Sequence, residues 1–218
     1  MQTLKAPAFL FDMDGTLLDS TANIELIWGI WCARHGIALE HVLAICHGVP
    51  SSATIAQVAP HLDIATESAW LDELEVANCD GVIAIPGAAA MLAGLPADRW
   101  ALVTSATRPV LEKRLRHCGL PLPARIVSAE DVSHGKPDPE PYLRGAALLG
   151  VPAAECVAFE DAPAGLRSAA GAGARLVQVG GNAPLHPDLV LRIQDWRGVT
   201  ATGEGNGVMM ILPQGAQR

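Results

Sequence analysis

A short apolar segment that ends at two acidic residues constrains the fold more than any other feature. The residues from Ala8 to Phe11 are all apolar, and Asp12-Met13-Asp14-Gly15-Thr16 follows them directly. A run that is apolar on both faces is typical of a central strand in a parallel sheet, and a glycine after it permits a sharp bend. Because ligands of open α/β sheets bind beyond the carboxyl ends of the strands, Asp12 and Asp14 are candidate site residues.

The chemistry of this pair has two interpretations. Neighbouring carboxylates repel each other, and a bound divalent cation or a proton on one of them would relieve the repulsion. Mg²⁺ prefers such oxygen ligands and also binds phosphate, while an aspartate can act as a nucleophile that forms an aspartyl-phosphate. The other interpretation is a strand followed by an ordinary polar Asp-Gly turn. The remaining strand ends must decide between them.

Length and charge limit the possible classes. The chain has 218 residues, half of them hydrophobic, which suffices for two domains or for one domain with an insertion. Its net charge is −8 and it contains no basic run, which argues against a nucleic-acid partner. A metal ion and one lysine can still create a local phosphate site. The sequence has no signal-peptide pattern and no apolar run long enough for a bilayer, so we expect a cytoplasmic protein without a membrane partner.

The cysteines indicate neither zinc nor a disulfide framework. They are odd in number, widely separated and without a Cys-x-x-Cys pair. We therefore predict reduced thiols that are mostly buried as small apolar residues. They are Cys32, Cys46, Cys79, Cys118 and Cys156.

Four successive helices are predicted after the first strand. They span about 21–36, 39–46, 51–60 and 66–79. Apolar residues at helical spacing and the terminal Gly36 indicate the first helix, and Ser51 or Ser52 is the candidate N-cap of the third. Four consecutive helices cannot continue a parallel sheet. We therefore predict that residues 20–82 form a small helical domain, inserted into a core domain of residues 1–19 and 83–218.

Alternating strands and helices are predicted beyond this insertion. The strands span 100–104, 125–127, 156–160 and 175–179, and the helices span 86–95, 109–118, 139–149 and 162–172. This alternation predicts an α/β fold with a doubly wound parallel sheet. Residues 189–191 are a candidate last parallel strand, and Gly205-Asn206-Gly207 predicts an antiparallel hairpin of 199–203 with 207–212.

Three further strand or loop ends carry polar residues. Thr104 and Ser105 offer hydroxyls for phosphate oxygens, or they form an ordinary turn. Lys136 lies in a proline-rich loop, from which it either neutralises carboxylates and a phosphoryl group or extends into solvent. Glu160 and Asp161 form a second acidic pair, in which Asp161 is either a metal ligand or the N-cap of the next helix. Together with the first acidic pair, these residues indicate one site at one sheet edge.

The four stretches together resemble the haloacid dehalogenase (HAD) superfamily of phosphotransferases. The resemblance rests on Asp-x-Asp-Gly-Thr, the strand-end threonine, Gly-Lys-Pro-x-Pro and Glu-Asp-Ala-x-x-Gly, and it covers the whole chain. It implies a Rossmann-like core, and the helical insertion looks like the type 1 cap of that superfamily. Within the superfamily the chain looks most like bacterial sugar phosphatases.

The resemblance implies a role for each motif residue. Asp12 would be the nucleophile, and Asp14 would protonate the leaving alcohol and then deprotonate the hydrolytic water. Thr104 and Lys136 would hold phosphoryl oxygens. The implied cofactor is Mg²⁺, and its ligands would be Asp12, the carbonyl oxygen of Asp14, and Asp161, with Glu160 nearby.

The resemblance also implies a small phosphorylated metabolite as the partner, either a sugar phosphate or a polyol phosphate. Substrate contacts would come from His47, Gly48, Thr104, Ser105 and Lys136. Residues 48–52 contain no arginine or lysine, which argues against substrates with two phosphates. We expect a monomer or a weak homo-oligomer.

Two positions narrow the reaction. Dehalogenases of the superfamily lack the second aspartate of the first motif, so Asp14 argues against that chemistry. Phosphomutases of the β-phosphoglucomutase type carry a hinge histidine where this chain has Ile24. We therefore expect hydrolysis, and a phosphomutase or a non-catalytic binding module on the same scaffold stays as the alternative.

Overall fold

The computed structural model describes residues 2–180 and 186–213, and its strands and helices follow the predicted alternation closely. The strands are β1 (Gln2–Ala6), β2 (Phe9–Phe11), β3 (Leu18–Asp19), β4 (Ile83–Ala84), β5 (Trp100–Val103), β6 (Ile126–Val127), β7 (Val157–Glu160), β8 (Arg175–Val179), β9 (Leu189–Ile193), β10 (Thr200–Glu204) and β11 (Gly207–Leu212). The helices are α1 (Thr21–His35), α2 (Leu39–Leu43), α3 (Ser51–Val58), α4 (Ile64–Ala77), α5 (Ala88–Ala93), α6 (Arg108–His117), α7 (Glu140–Leu148) and α8 (Pro163–Gly171).

A six-stranded sheet in the order β6-β5-β2-β7-β8-β9 forms the centre of the molecule. All of its neighbouring strands are parallel, which confirms the predicted fold class. The strands β5 and β7 flank β2 on opposite sides, so the winding direction reverses at β2. That reversal creates the crevice in which α/β proteins bind ligands. The three strands at the crevice are those that end in the predicted site residues.

The alternation of side chains along these strands builds two apolar layers. Phe11 and Phe159 belong to the larger hydrophobic cluster, while Leu10 and Ala158 belong to a second cluster. Successive strand residues point to opposite faces, so the clusters cover the two faces of the sheet. The rings of Phe11 and Phe159 stack at 4.6 Å between centroids, directly before the acidic strand ends.

The four helices α1–α4, called here the cap helices, pack around an apolar cluster of their own. Its fully buried members include Trp31, Ile55 and Leu71. The short antiparallel ribbon of β3 and β4 connects these helices to the sheet. The exact domain limits at 20–82 stay a prediction.

Several local expectations are settled by the hydrogen bonds. Gly36 ends α1 in the left-handed conformation, as predicted. The N-cap prediction for α3 is wrong, because Pro50 occupies that position and no side chain caps the helix. Among the helices α1–α4, a side-chain N-cap is found at α4, where Asp63 accepts a hydrogen bond from the Thr66 N–H at 2.8 Å. A serine in the first helical turn lies past the position from which it could cap.

The C-terminal hairpin gains a partner that its local pattern does not predict. β10 and β11 pair in antiparallel fashion, and β9 pairs in parallel with β8, so both tail predictions are confirmed. β1 then pairs with β11 and completes a three-stranded sheet. All five cysteines are free, and all but Cys118 are buried. Within residues 2–180 and 186–213, no helix combines the length and apolar character needed to cross a bilayer.

Trp196, between β9 and β10, connects the C-terminal part of the chain to the loop of the first motif, and its substitution tests this contact. Its fully buried ring packs against Phe11 and Phe159, and its indole N–H donates to the carbonyl oxygen of Thr16 at 2.7 Å. We expect Trp196→Ala to lower the free energy of unfolding by about 3–5 kcal/mol. Trp196→Phe keeps most of the packing and should lose only about 1–2 kcal/mol. Urea unfolding measures the free energy of unfolding of both variants. Equal losses in the two variants would contradict a stabilising contribution from packing of the aromatic ring.

Candidate active site

The first motif brings its nucleophile candidate to the end of β2. Asp12 is buried, and its backbone N–H donates to the carbonyl oxygen of Phe159 at 3.0 Å, which continues the pairing with β7. Gly15 has a φ of +83°, and a Cβ added there would lie 2.0 Å from a carboxylate oxygen of Asp161. Only glycine combines that backbone conformation with that close approach. The glycine therefore lets the first and last acidic motifs meet.

Lys136 lies at the centre of the site. Its ammonium donates to Asp12 Oδ1 and Glu160 Oε1, both at 2.6 Å, and to the carbonyl oxygen of Val103 at 3.0 Å. The side chain is 1% exposed, so the solvated interpretation of this lysine is wrong. Burial alone lowers the pKa of Lys136, but Asp12 and Glu160 outweigh burial and raise it above its ordinary value. The ammonium is therefore a permanent positive charge at neutral pH.

Glu160 is the most fully bonded carboxylate of the site. Its Oε1 accepts from Lys136 and from the Tyr142 hydroxyl at 2.8 Å, and its Oε2 accepts from the backbone N–H groups of Asp161 and Ala162. Gly165 makes room for it, since a Cβ there would lie 1.8 Å from Glu160 Oε1. These bonds make Glu160 an anchor for Lys136 as well as a source of negative charge.

Asp12, Glu160 and Asp161 form a cluster that can hold a cation. Each contributes a carboxylate oxygen, and these oxygens lie within 4.8 Å of one another. Asp161 Oδ1 is buried and lacks a hydrogen-bond partner among the residues that the structure describes. Burial raises the pKa of Asp12 to about 8 and the pKa of Asp161 well above its ordinary value, and Glu160 adds to both shifts. Hard oxygen ligands with uncompensated charge fit a divalent cation such as Mg²⁺.

Asp161 does not cap the following helix. The N-cap of α8 is Ala162, and no side chain accepts a hydrogen bond from the first turn. The capping interpretation of Asp161 is therefore wrong. Its carboxylate instead faces Gly15 and the acidic cluster.

Asp14 belongs to a different set of contacts. Its Oδ1 accepts from the Ser20 hydroxyl at 2.6 Å and from the Arg114 guanidinium at 2.8 Å. The same guanidinium donates to Glu75 Oε1 at 3.1 Å and to Asn23 Oδ1 at 3.3 Å. The Asp14 carboxylate is not part of the three-carboxylate cluster. The two aspartates of the first motif therefore have separate electrostatic environments.

A cleft of about 690 Å³ opens over the site between the cap helices and the core. Of the predicted site residues, His47, Lys136 and Asp161 line it. The others lie outside its lining: Asp12, Asp14, Gly48, Thr104 and Ser105. Thr104 is buried, and its hydroxyl accepts from the Ala106 N–H at 3.1 Å. The Ser105 hydroxyl donates to the carbonyl oxygen of Gly48 at 3.1 Å, which joins the core loop to the cap loop.

Other cleft residues were not predicted. Thr54 and Gln57 of α3 and Arg167 of α8 line it. Within the described part of the chain, the buried Thr54 hydroxyl has no hydrogen-bond partner. Arg167 supplies a cation that the sequence of residues 48–52 does not, because it comes from a core helix. The absence of a cation from the cap loop therefore does not leave the cleft without one.

Tyr142 and Arg114 are site residues that sequence reasoning missed. Tyr142 is the only tyrosine in the chain, and its hydroxyl and ring contact Glu160 and Lys136. Arg114 occupies the buried face of α6 with Val110, Leu111 and Leu115. An arginine inside an apolar stripe of helical spacing is a signal that could have identified it.

Comparison with known proteins assigns the family. The family model of the haloacid dehalogenase-like hydrolases matches residues 6–173. The chain is 41% identical to hexitol phosphatase A of Escherichia coli K12, over 95% of this chain and 100% of that protein. It is 36% identical to glycerol-1-phosphate phosphohydrolase 2 of Saccharomyces cerevisiae, over 81% of this chain and 76% of that protein. Its fold matches the crystal structure of CbbY from Rhodobacter sphaeroides in complex with phosphate, with a TM-score of 0.76 and 25% sequence identity. The match covers 88% of this chain and 96% of that chain. The chain therefore belongs to the haloacid dehalogenase-like hydrolases.

Glu75 gives the stability a pH dependence that can be measured. Burial raises its pKa from 4.5 to about 7, although Arg114 acts in the opposite direction. Between these values the folded protein retains a proton that the unfolded chain has released, so the free energy of unfolding falls as pH rises through this window. The contribution is at most about 1.4 kcal/mol per pH unit.

Urea unfolding of wild type and Glu75→Gln across this window tests the effect. The difference in slope between the two proteins isolates Glu75, because other titrating groups are common to both. Glu73→Gln alters an exposed residue of the same helix and is the matched control. Parallel pH profiles for wild type and Glu75→Gln would contradict the raised pKa.

Proposed function

We propose that this protein is a Mg²⁺-dependent phosphatase that hydrolyses small sugar or polyol phosphates through an aspartyl-phosphate on Asp12. The observation that carries the proposal is the position of Asp12 beside a buried ammonium and two further carboxylates under the cleft. The names of the similar proteins, hexitol phosphatase A and glycerol-1-phosphate phosphohydrolase 2, support the substrate class. Phosphoryl transfer depends mainly on positioning and charge neutralisation, and this site provides both.

In the first half-reaction, a carboxylate oxygen of Asp12 attacks the phosphorus atom and the bond to the leaving alcohol breaks. Lys136 holds Asp12 in place and neutralises charge on the phosphoryl oxygens. The hydroxyl of Thr104, at the end of β5, holds another phosphoryl oxygen. Asp14 gives its proton to the departing alcohol, so the alcohol leaves in neutral form.

In the second half-reaction, Asp14 has become a carboxylate and acts as a base. It takes a proton from a water molecule, and the water oxygen attacks the phosphorus atom of the aspartyl-phosphate. The bond to the Asp12 oxygen breaks, and inorganic phosphate leaves with Asp12 regenerated. Glu160 and Tyr142 keep Lys136 aligned throughout. Glu160 accepts a hydrogen bond from its ammonium, and the ring of Tyr142 lies against the same ammonium.

Asp12, Asp161 and the carbonyl oxygen of Asp14 are the residues that would hold Mg²⁺, with Glu160 close by. The unpartnered Oδ1 of Asp161 and the excess negative charge of the cluster support this ligand set. When bound, the ion would offset the negative charge of the carboxylates and of the phosphoryl oxygens. Without it, burial and the neighbouring Glu160 hold the pKa of Asp12 above its ordinary value, which disfavours the carboxylate form.

The cleft suits a small polyhydroxylated alcohol. His47, Gln57 and the unpartnered Thr54 hydroxyl provide polar contacts on the cap side, and Arg167 provides one on the core side. A buried hydroxyl without a partner favours a substrate that offers one. Five free cysteines also suit a reducing compartment, and we expect the protein to act in the cytoplasm.

A phosphomutase is the competing function. Ile24 stands where the hinge histidine of those enzymes is expected, and it packs against the apolar cluster of the cap helices. An isoleucine can neither donate nor accept a proton, so it offers no replacement for that histidine. We expect phosphate release from hexose phosphates and no interconversion of hexose 1-phosphate with hexose 6-phosphate.

Asp12→Asn tests the nucleophile. We expect phosphate release from sugar and polyol phosphates to fall by about 10³-fold or more, because an amide cannot form the covalent intermediate. The measurement is a phosphate-release assay over sugar, polyol and nucleotide monophosphates with Mg²⁺. Asp98→Asn is the control, since Asp98 is 70% exposed before β5, at the opposite sheet edge. Full activity in Asp12→Asn would contradict the mechanism.

Thermal unfolding tests the metal site without relying on activity. Mg²⁺ at about 100 times its dissociation constant adds roughly 2.7 kcal/mol to stability, which raises the Tm of a chain of this size by roughly 5–10 °C. We expect Asp161→Asn to abolish this increase. NaCl of equal ionic strength controls for general salt effects. An undiminished shift in Asp161→Asn, or no shift in the wild type, would contradict the ligand set.

A further inference from the structure

We propose that Arg114 is a positioning residue through which the cap helices control the orientation of the Asp14 carboxylate. The inference rests on the acid–base role of Asp14 in the proposed function and adds a residue that acts through it. Arg114 lies on core helix α6 and is 2% exposed. It is therefore placed to act on the side chains around it, outside the lining of the cleft.

On the core side, Arg114 fixes the acid–base candidate. Its Nη1 donates to Asp14 Oδ1 at 2.8 Å, and the Ser20 hydroxyl donates to the same oxygen at 2.6 Å. Charge-assisted hydrogen bonds of this length are the stronger and more directional ones in proteins. The Asp14 carboxyl can therefore reach a leaving alcohol only in the directions that these two donors permit.

On the cap side, the same guanidinium is held by two helices. Its Nη2 donates to Glu75 Oε1 on α4 at 3.1 Å and to Asn23 Oδ1 on α1 at 3.3 Å. Asn23 in turn donates to the carbonyl oxygens of Asn78 and Asp80, in the segment that returns from α4 towards the sheet. A displacement of α1 or α4 relative to α6 must therefore move or break the contacts of Nη2.

The chemistry of arginine joins the two sides. The guanidinium is planar and rigid, so Nη1 and Nη2 cannot move independently, whereas a lysine ammonium is a single point of charge. The buried charge of Arg114 also needs both acidic partners, since removing one partner of a buried pair is strongly unfavourable. The position of the cap helices and the orientation of Asp14 are therefore coupled through one group.

Leaving-group dependence separates this role from a purely structural one. A hexitol phosphate releases an alkoxide that needs a proton from Asp14, whereas p-nitrophenyl phosphate releases a stable phenolate that does not. We expect Arg114→Met to lower kcat/KM for the hexitol phosphate by about 10²-fold and for p-nitrophenyl phosphate by less than about threefold. Arg116→Met, an exposed position on the same helix, should change neither.

Two further variants cover the case in which Arg114→Met fails to fold. Arg114→Lys keeps the charge and Glu75→Gln keeps the shape of the cap-side partner. Both should show a smaller loss that is again confined to the hexitol phosphate. Equal losses on the two substrates, or no loss on either, would overturn the inference. A wild-type protein that releases phosphate from neither compound contradicts the proposed function itself and removes the basis of this inference.

Discussion

The buried ammonium of Lys136 is the interaction on which the rest of the site depends. It contacts Asp12 after β2, Glu160 at the end of β7 and the carbonyl oxygen of Val103 at the end of β5. These three strands are neighbours in the sheet, and their carboxyl ends would otherwise bring buried negative charges together without compensation. Lys136 lies in the loop after β6, and this one side chain therefore holds the three strand ends in a single site.

Two glycines are as important to this arrangement as the charged side chains. Gly15 and Gly165 leave the space that the carboxylates of Asp161 and Glu160 occupy, so the acidic motifs can approach more closely than any other residues would allow. Below them, the stacked rings of the apolar layer give the strand ends a rigid floor. The polar site thus rests on close packing of mainly apolar side chains.

The first motif divides its two aspartates between two charge networks. Asp12 pairs with Lys136 inside the sheet edge, whereas Asp14 pairs with Arg114 at the boundary with the cap helices. The first network stays within the core and suits a nucleophile that must not move. The second includes Glu75 and joins the core to α4, so it suits a group whose orientation follows the cap. The separation places chemically identical side chains in different electrostatic environments.

The sequence alone determined the alternation of strands and helices, the tail hairpin and the motif residues at the strand ends. These follow from local periodicity, turn residues and the rule that ligands bind beyond the carboxyl ends of parallel strands. Only the tertiary structure decided the partners of Arg114 and Tyr142, the entry of Arg167 into the cleft and the pairing of β1 with β11. Asp14 and Arg114 are 100 positions apart in the chain, and no local pattern encodes such a contact. Long-range burial of charge is decided by how the elements pack, because only packing determines which polar groups lose water together.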